Sequence, residues 1–196
     1  MKDSLIYVWS DLHLGHDKCC TTFTRNDGSF LRPFKDAEEA DEVMIARCNA
    51  IVRPQDKLYI LGDITINSKH LHKVKRLNGH KRMIGGNHDL ADTEEYLEAG
   101  FEQVRGVRVF RNNKEGVGDC VLTHVPIHPD CMARWGVNVH GHLHANVLKL
   151  PNGHPDPRYV SACVEMLDYT PILLTELLKR AGKQVGDTYV AREGAD

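Results

Sequence analysis

No run of this sequence approaches the roughly 20 consecutive apolar residues that cross a bilayer. The opening residues, MKDSLIYVWSD, contain no apolar segment of signal-peptide length and no small-residue cleavage site. The six cysteines, Cys19, Cys20, Cys48, Cys120, Cys131 and Cys163, include no CxxC pair and are too sparse for a disulfide scaffold. They read as small buried hydrophobes, and a reducing, cytoplasmic setting is expected. Neither sign of charge dominates: 25 Lys and Arg against 27 Asp and Glu leave a net charge of -2, with no global pull toward nucleic acid or an anionic membrane. Repeats, low-complexity tracts and Pro/Gly/Ser linkers are also missing. One domain is expected over residues 1–182, followed by a tail, 183–196, expected to be mobile. What the chain does have is 12 histidines in 196 residues, and their positions carry the argument.

Leu5–Trp9 and Leu58–Leu61 are short apolar runs with β-branched and aromatic residues, the mark of strands buried on both faces. Asp36 with Glu39 forms a capping-box pattern. Ala40, Met44, Cys48 and Ile51 follow at helical spacing, and Pro54 ends that helix. Residues 17–32 have no clean period and read as a loop. A basic helix is expected over 67–77, a strand over Arg82–Ile84 and a short helix over Thr93–Ala99. Beyond Gly100 the pattern turns to strands: Phe101–Arg111, Asp119–Thr123, Val137–His140 and Tyr159–Met166. A last amphipathic helix carries Leu173, Leu174, Leu177 and Leu178 and closes at Gly182. Alternating strands and helices followed by mostly strands imply an α/β fold of two packed β-sheets with helices outside.

Five short motifs each put a metal-capable side chain directly after an expected strand, where α/β folds gather their site loops. They are Asp11-Leu-His13, Gly62-Asp63, Gly86-Asn87-His88-Asp89, His124, and Gly141-His142-Leu-His144. On an extended segment alternate side chains point the same way, so Asp11 with His13, or His142 with His144, can reach one ion. Gly85 and Gly86 let the backbone bend against a cluster. Each motif alone has an ordinary explanation as a turn or a surface pair. Together they supply two Asp, one Asn and four His. Seven donors exceed the four of a single structural zinc and fit two ions sharing a carboxylate. Oxygen and nitrogen donors without thiolate suit Mn, Fe, Zn, Ni or Co better than Ca or Cu(I).

The ordered set D-x-H, G-D, G-N-H-D, H and G-H-x-H, spanning residues 10–144, resembles the calcineurin-like metallophosphoesterases. Ser10-Asp-Leu-His-Leu-Gly-His16, Arg32-Pro-Phe34 and Tyr169-Thr-Pro171 are similar to segments of their short, capless bacterial and phage members. The resemblance implies a sandwich of two mixed sheets flanked by helices. It implies that Asp11, His13, Asp63 and His144 hold one divalent ion while Asp63, Asn87, His124 and His142 hold the other, with Mn the first choice. It further implies hydrolysis of a phosphoester by a metal-bridging hydroxide, with His88 as general acid and Asp89 orienting it.

Other residues keep two readings. His16 contacts a phosphoryl oxygen or orders its loop. Arg32 clamps a phosphate or forms an ion pair, and His128 lines the pocket mouth or stands outside it. The basic stretch Lys69–Arg76, with Lys81 and Arg82, lacks interleaved aromatics and reads as a solvated face before a nucleic-acid contact. The expected substrate is therefore a small phosphoester such as a nucleotide or cyclic nucleotide, cleaved by a phosphodiesterase or phosphatase, with no membrane partner. A nuclease of the same superfamily and a noncatalytic binding scaffold are the competing readings. The scaffold predicts lost ligands, and every ligand position is filled.

Overall fold

The computed structural model describes residues 4–25, 27–111 and 116–184, and the backbone of 189–190. Two mixed sheets are flanked by helices. The first sheet has five strands in the order β10-β1-β3-β4-β5. These are β1 (Ile6–Trp9), β3 (Lys57–Ile60), β4 (His80–Ile84), β5 (Phe101–Arg105) and β10 (Ile172–Leu173). β1, β3, β4 and β5 run parallel, and β10 pairs antiparallel at the edge. The second sheet has the order β6-β7-β8-β9: β6 (Arg108–Phe110), β7 (Cys120–Leu122), β8 (Val137–His140) and β9 (Tyr159–Ser161). Only β6 is antiparallel to its neighbour. One cluster of buried side chains draws on both sheets, with Tyr59 and Phe110 packed edge-to-face at 5.8 Å. The strands β1 and β3 are buried nearly throughout, as their unbroken apolar runs require.

The longest helix, α2 (Ala37–Ile51), follows its sequence signals. Asp36 caps it by accepting the Glu39 amide at 2.9 Å. The Glu39 carboxylate accepts the Lys35 amide instead of returning to Asp36. Ala40, Met44 and Cys48 are buried on one face, but Ile51, expected on it, is exposed at the helix's last position.

Several expected elements are shorter or divided. The stretch read as one strand from Phe101 to Arg111 is two: β5 pairs with β4 in the first sheet and β6 with β7 in the second. Gly106 and Val107 carry the chain between sheets, a crossing that local pattern does not register. The strand expected to run to Met166 stops at Ser161 and gives way to a 3₁₀ turn at Val164–Met166. The loop 17–32 contains α1 (Lys18–Thr21) and β2 (Thr24–Arg25).

The basic segment forms a 3₁₀ helix, Ser68–Arg76, packed on α2. Lys73 is buried and donates to Asp41 at 2.7 Å and Glu38 at 2.9 Å, while Arg76 meets both oxygens of Glu42. Two of its cations are thus neutralised by acids of the neighbouring helix, so the segment is less of a solvated face than expected. The tail does not simply leave the fold at residue 183. Gln184 accepts the Ser161 amide at 2.7 Å and donates to the Ser161 carbonyl at 2.8 Å, and β11 (Tyr189–Val190) pairs antiparallel with β2. The expected mobility of the rest falls on 185–188 and 191–196, outside the described residues.

Candidate metal centre

The carboxyl ends of β1, β3, β4, β7 and β8 converge, and each delivers a motif. Past their strands β1 and β3 stay zipped: the amides of Asp11, His13 and Leu14 donate to the carbonyls of Gly62, Asp63 and Ile64 at 2.9–3.1 Å. The two sheets meet here as well, through a parallel bridge between Ser10 and Cys163.

The backbone of the site is contorted. Asp11, His13, Asp63, His142 and His144 all have positive φ, between 46° and 70°. A non-glycine residue pays about 1–2 kcal/mol for that conformation. Among the other described non-glycine residues only Asp168 and Tyr169 share it. Strain concentrated on five of the seven proposed ligands is a mark of a functional cluster. The glycines serve close approach. A Cβ on Gly86 would lie 2.3 Å from Asp63 Oδ1, and one on Gly141 would lie 2.1 Å from Ser10 Oγ and 2.5 Å from Asp11 Oδ2. Gly141→Ala should therefore cost about 1–3 kcal/mol, the usual penalty of overpacking, and should lower metal uptake by displacing Asp11. Urea denaturation of the metal-free protein and metal analysis read the two effects, and wild-type values in both would show that Asp11 tolerates the crowding.

Two groups, each with two buried members and one half-buried histidine, could each hold a metal ion: Asp11, His13 and His144, and Asp63, His124 and His142. Within each, the ligand atoms lie within 4.8 Å of one another. Asp63 faces both groups. Its Oδ2 is 3.5 Å from His13 Nε2, and its Oδ1 is 3.3 Å from His124 Nε2. Asn87 Oδ1 lies 2.9 Å from both His124 Nε2 and His142 Nδ1. Both ring nitrogens of His13 are buried without a hydrogen-bond partner. Such an orphan is costly, and a cation fits it. Burial and the nearby His144 and Arg32 push His13 well below the ordinary imidazole range, toward the neutral form a metal ligand needs. His124 goes the other way. Burial opposes its charge, but Asp63 and Asp11 outweigh that and raise it to about 9.

The remaining sequence candidates separate. His88 is half-buried, its ring 5.6 Å from that of His13, and it lines a cavity of about 250 Å³ with Ile66, Leu90 and Tyr96. Asp89 does not orient it. The Asp89 carboxylate accepts the amides of Asp63, Ile64 and Gly86 at 2.8–2.9 Å, bracing the loop of the shared carboxylate. His16 lies half in the site, 5.7 Å from the His13 ring, with Cys19 Sγ 3.6 Å from its Nδ1. Burial and Arg32 lower its pKa to about 4. Arg32 is 1% exposed and cannot clamp a substrate. It donates to the carbonyls of Asp11 and Leu12 at 2.6 and 2.8 Å and to Glu165 at 2.9 Å. His128 is exposed and caps the 3₁₀ turn Pro129–Arg134 by accepting the Asp130 amide at 3.3 Å. Of the cysteines, all free, Cys131 is exposed and the other five are buried.

Sequence reasoning missed three contributors. Glu165 accepts from His144 Nδ1 at 3.2 Å. The Cys163 thiol donates to Asp11 Oδ2 at 3.3 Å. Asp41, gripped by Lys73, accepts the Gly15 amide at 2.9 Å and so steadies the first motif's loop. Glu165 had a signal, an acid four residues past the end of β9, but the expected strand ran through it.

No family model matches this chain. An uncharacterized protein of Methanocaldococcus jannaschii is 29% identical over 182 residues, 89% of each chain. The gene 66 protein of Mycobacterium phage L5 is 27% identical over 167 residues, 71% of this chain and 77% of the phage protein. A crystal structure of a protein of unknown function from Aquifex aeolicus shares the fold: TM-score 0.65 at 23% identity, covering 90% of this chain and 99% of the other. Among the described residues no helix is long and apolar enough to cross a membrane.

Proposed function

We propose that this protein is a metal-dependent phosphoester hydrolase of the calcineurin-like metallophosphoesterase type, with two adjacent divalent ions and small phosphoesters as substrates. The observation that carries the proposal is Asp63, whose two carboxylate oxygens each face a different histidine group. A carboxylate so divided suits a shared ligand, and a two-ion centre is the usual clamp for phosphoryl transfer. When bound, two divalent ions would lower the pKa of a water poised to attack phosphorus and offset charge on the phosphoryl oxygens.

The chain's own residues take the other parts. Asp63 holds the two halves at fixed spacing. Asp89 pins the Asp63 loop through three backbone amides. His88 projects from the motif that carries Asn87 and lines a cavity large enough for a ring-sized leaving group, where it can deliver a proton to the departing oxygen. The rim favours small, ring-bearing substrates over a polyanion. Ile66 and Leu90, which line the same cavity as His88, are 43% and 88% exposed. Lys73 and Arg76 of the basic stretch are meanwhile occupied by α2.

The test begins with metal. The protein should bind two divalent ions per chain. Chelation should abolish hydrolysis and Mn²⁺ should restore it, in a panel of phosphomonoesters, linear diesters and 2′,3′- and 3′,5′-cyclic nucleotides. One ion per chain, with turnover indifferent to chelator, would sink the two-ion reading. Turnover of single-stranded nucleic acid far above every small ester would move the assignment to a nuclease.

A further inference from the structure

The Arg32–Glu165 pair departs from the bidentate Arg–carboxylate pairs of the fold. Arg53 meets Asp56 fork to fork, Nε to one oxygen and Nη2 to the other, and Arg158 meets Asp156 the same way. That bidentate arrangement satisfies both carboxylate oxygens. The Glu165 side chain is sealed from solvent, yet Arg32 Nε and Nη2 both lie 2.9 Å from the same oxygen, Oε1, and His144 Nδ1 lies 3.2 Å from it. Oε2 is left buried with no partner. An unsatisfied buried acceptor is a cost, and an ion pair that served only the fold would avoid it by turning the carboxylate to the fork. Here the carboxylate is tilted so that one oxygen reaches an imidazole.

The rest of Arg32 ties the same point to the first motif. Its Nη1 and Nη2 donate to the Leu12 and Asp11 carbonyls, the backbone between Asp11 and His13. One guanidinium therefore joins β9's loop, which carries Glu165, to the loop that carries two of the proposed ligands.

We propose that Glu165, held by Arg32, is a positioning residue for the metal group of Asp11, His13 and His144: it accepts the Nδ1–H of His144, which fixes that tautomer and leaves Nε2 as the donor to the ion. Nε2 is the ring nitrogen turned toward Asp11 Oδ1, 4.0 Å away. The inference rests on the two-ion reading for its metal but not for its tautomer. A metal-bound histidine steadied through its other nitrogen by a carboxylate holds its ion more tightly, and loss of the partner costs about 10–100-fold in affinity. Among the described residues, the second group has no carboxylate in this role. His124 Nδ1 faces a neutral carbonyl, Leu61 O, at 2.7 Å, and His142 Nδ1 faces Asn87.

Two measurements test it. The first needs no variant and no metal: ¹⁵N NMR of the imidazole rings in the chelated wild-type protein. His144 should be protonated on Nδ1. A His144 ring carrying its proton on Nε2 alone would overturn the proposal, whatever the protein catalyses. The second is Mn²⁺ titration by calorimetry. Glu165→Gln should weaken one of the two ions by about 10–100-fold and leave the other within a few-fold of wild type. Glu165→Asp, which keeps the charge on a shorter arm, should recover part of the loss. A folded Glu165→Gln protein that binds both ions with wild-type affinity would also overturn it. If wild-type protein bound no ion while His144 kept its Nδ1 proton, the two-ion function would fail and the Glu165–His144 contact would stand as a fold interaction only.

Discussion

Asp63→Asn should leave a folded protein that has lost metal from both groups and hydrolyses phosphoesters roughly 10³-fold more slowly or worse, since a two-ion clamp supplies several kcal/mol of transition-state charge stabilisation. The substitution is mild everywhere except in charge. Asn has the same size, tolerates the left-handed backbone that Asp63 adopts at φ 51°, and keeps an oxygen to accept the His88 amide now bonded to Oδ1 at 3.1 Å. The Asp89 brace acts on the Asp63 amide, which Asn retains. What goes is the negative charge between His13 and His124 and one of two oxygen donors. His124→Ala is the comparison. It removes a donor from one group only, at a residue without a strained backbone, so it should lower occupancy of one ion and spare the other. Metal content after gel filtration, measured for both variants beside wild type, decides the point. Equal losses in the two would mean that Asp63 belongs to a single site and that the ions are held independently.

The seven proposed ligands were legible as candidates because each stands just past a short apolar run, and such runs are what local patterning marks best. Asp11 and His13, two apart, do share one group, but His142 and His144 at the same spacing fall in different groups, because these residues turn through left-handed backbone instead of the extended chain that the spacing assumed. What surrounds them was not legible, because it depends on which distant segments touch. Arg32 lies 133 residues from Glu165. Nothing local distinguishes an arginine that will be sealed between two loops from one that will meet a phosphate in solvent. Asp89 was assigned to His88 because they are neighbours in sequence, yet neighbouring side chains diverge, and the Asp89 carboxylate turns to amides 25 and 26 residues away. The break at Gly106–Val107 had the same origin. Sequence period shows that Phe101–Arg105 and Arg108–Phe110 are both strands, but not that they belong to different sheets. The two-residue pairing of Tyr189–Val190 with Thr24–Arg25 is too short for any period to mark.

His88→Asn should separate proton donation from metal binding. The ring approaches His13 edge-on at 5.6 Å, and the backbone amide donates to Asp63, a bond that Asn keeps. The variant should bind both ions and unfold as wild type does, while turnover of nucleotide esters falls by about 10²–10⁴, the usual contribution of a positioned general acid. The loss should depend on the leaving group. A ribose alkoxide leaves poorly without a proton, whereas a nitrophenolate leaves unaided, so nitrophenyl esters should suffer far less. Asp89→Asn makes the contrast. Its carboxylate serves three backbone amides around Asp63, so replacing one oxygen by an NH₂ group sets a donor against a donor and should loosen the loop. The result should be weaker metal binding and a loss shared by both kinds of ester, the opposite signature from His88→Asn. Parallel assays of the two variants on a nucleotide ester and a nitrophenyl ester, with metal content measured alongside, would read both at once. Equal losses for His88→Asn on the two esters would remove it as the acid, and Glu95, the carboxyl group on the wall of the same cavity, would be the next residue to replace.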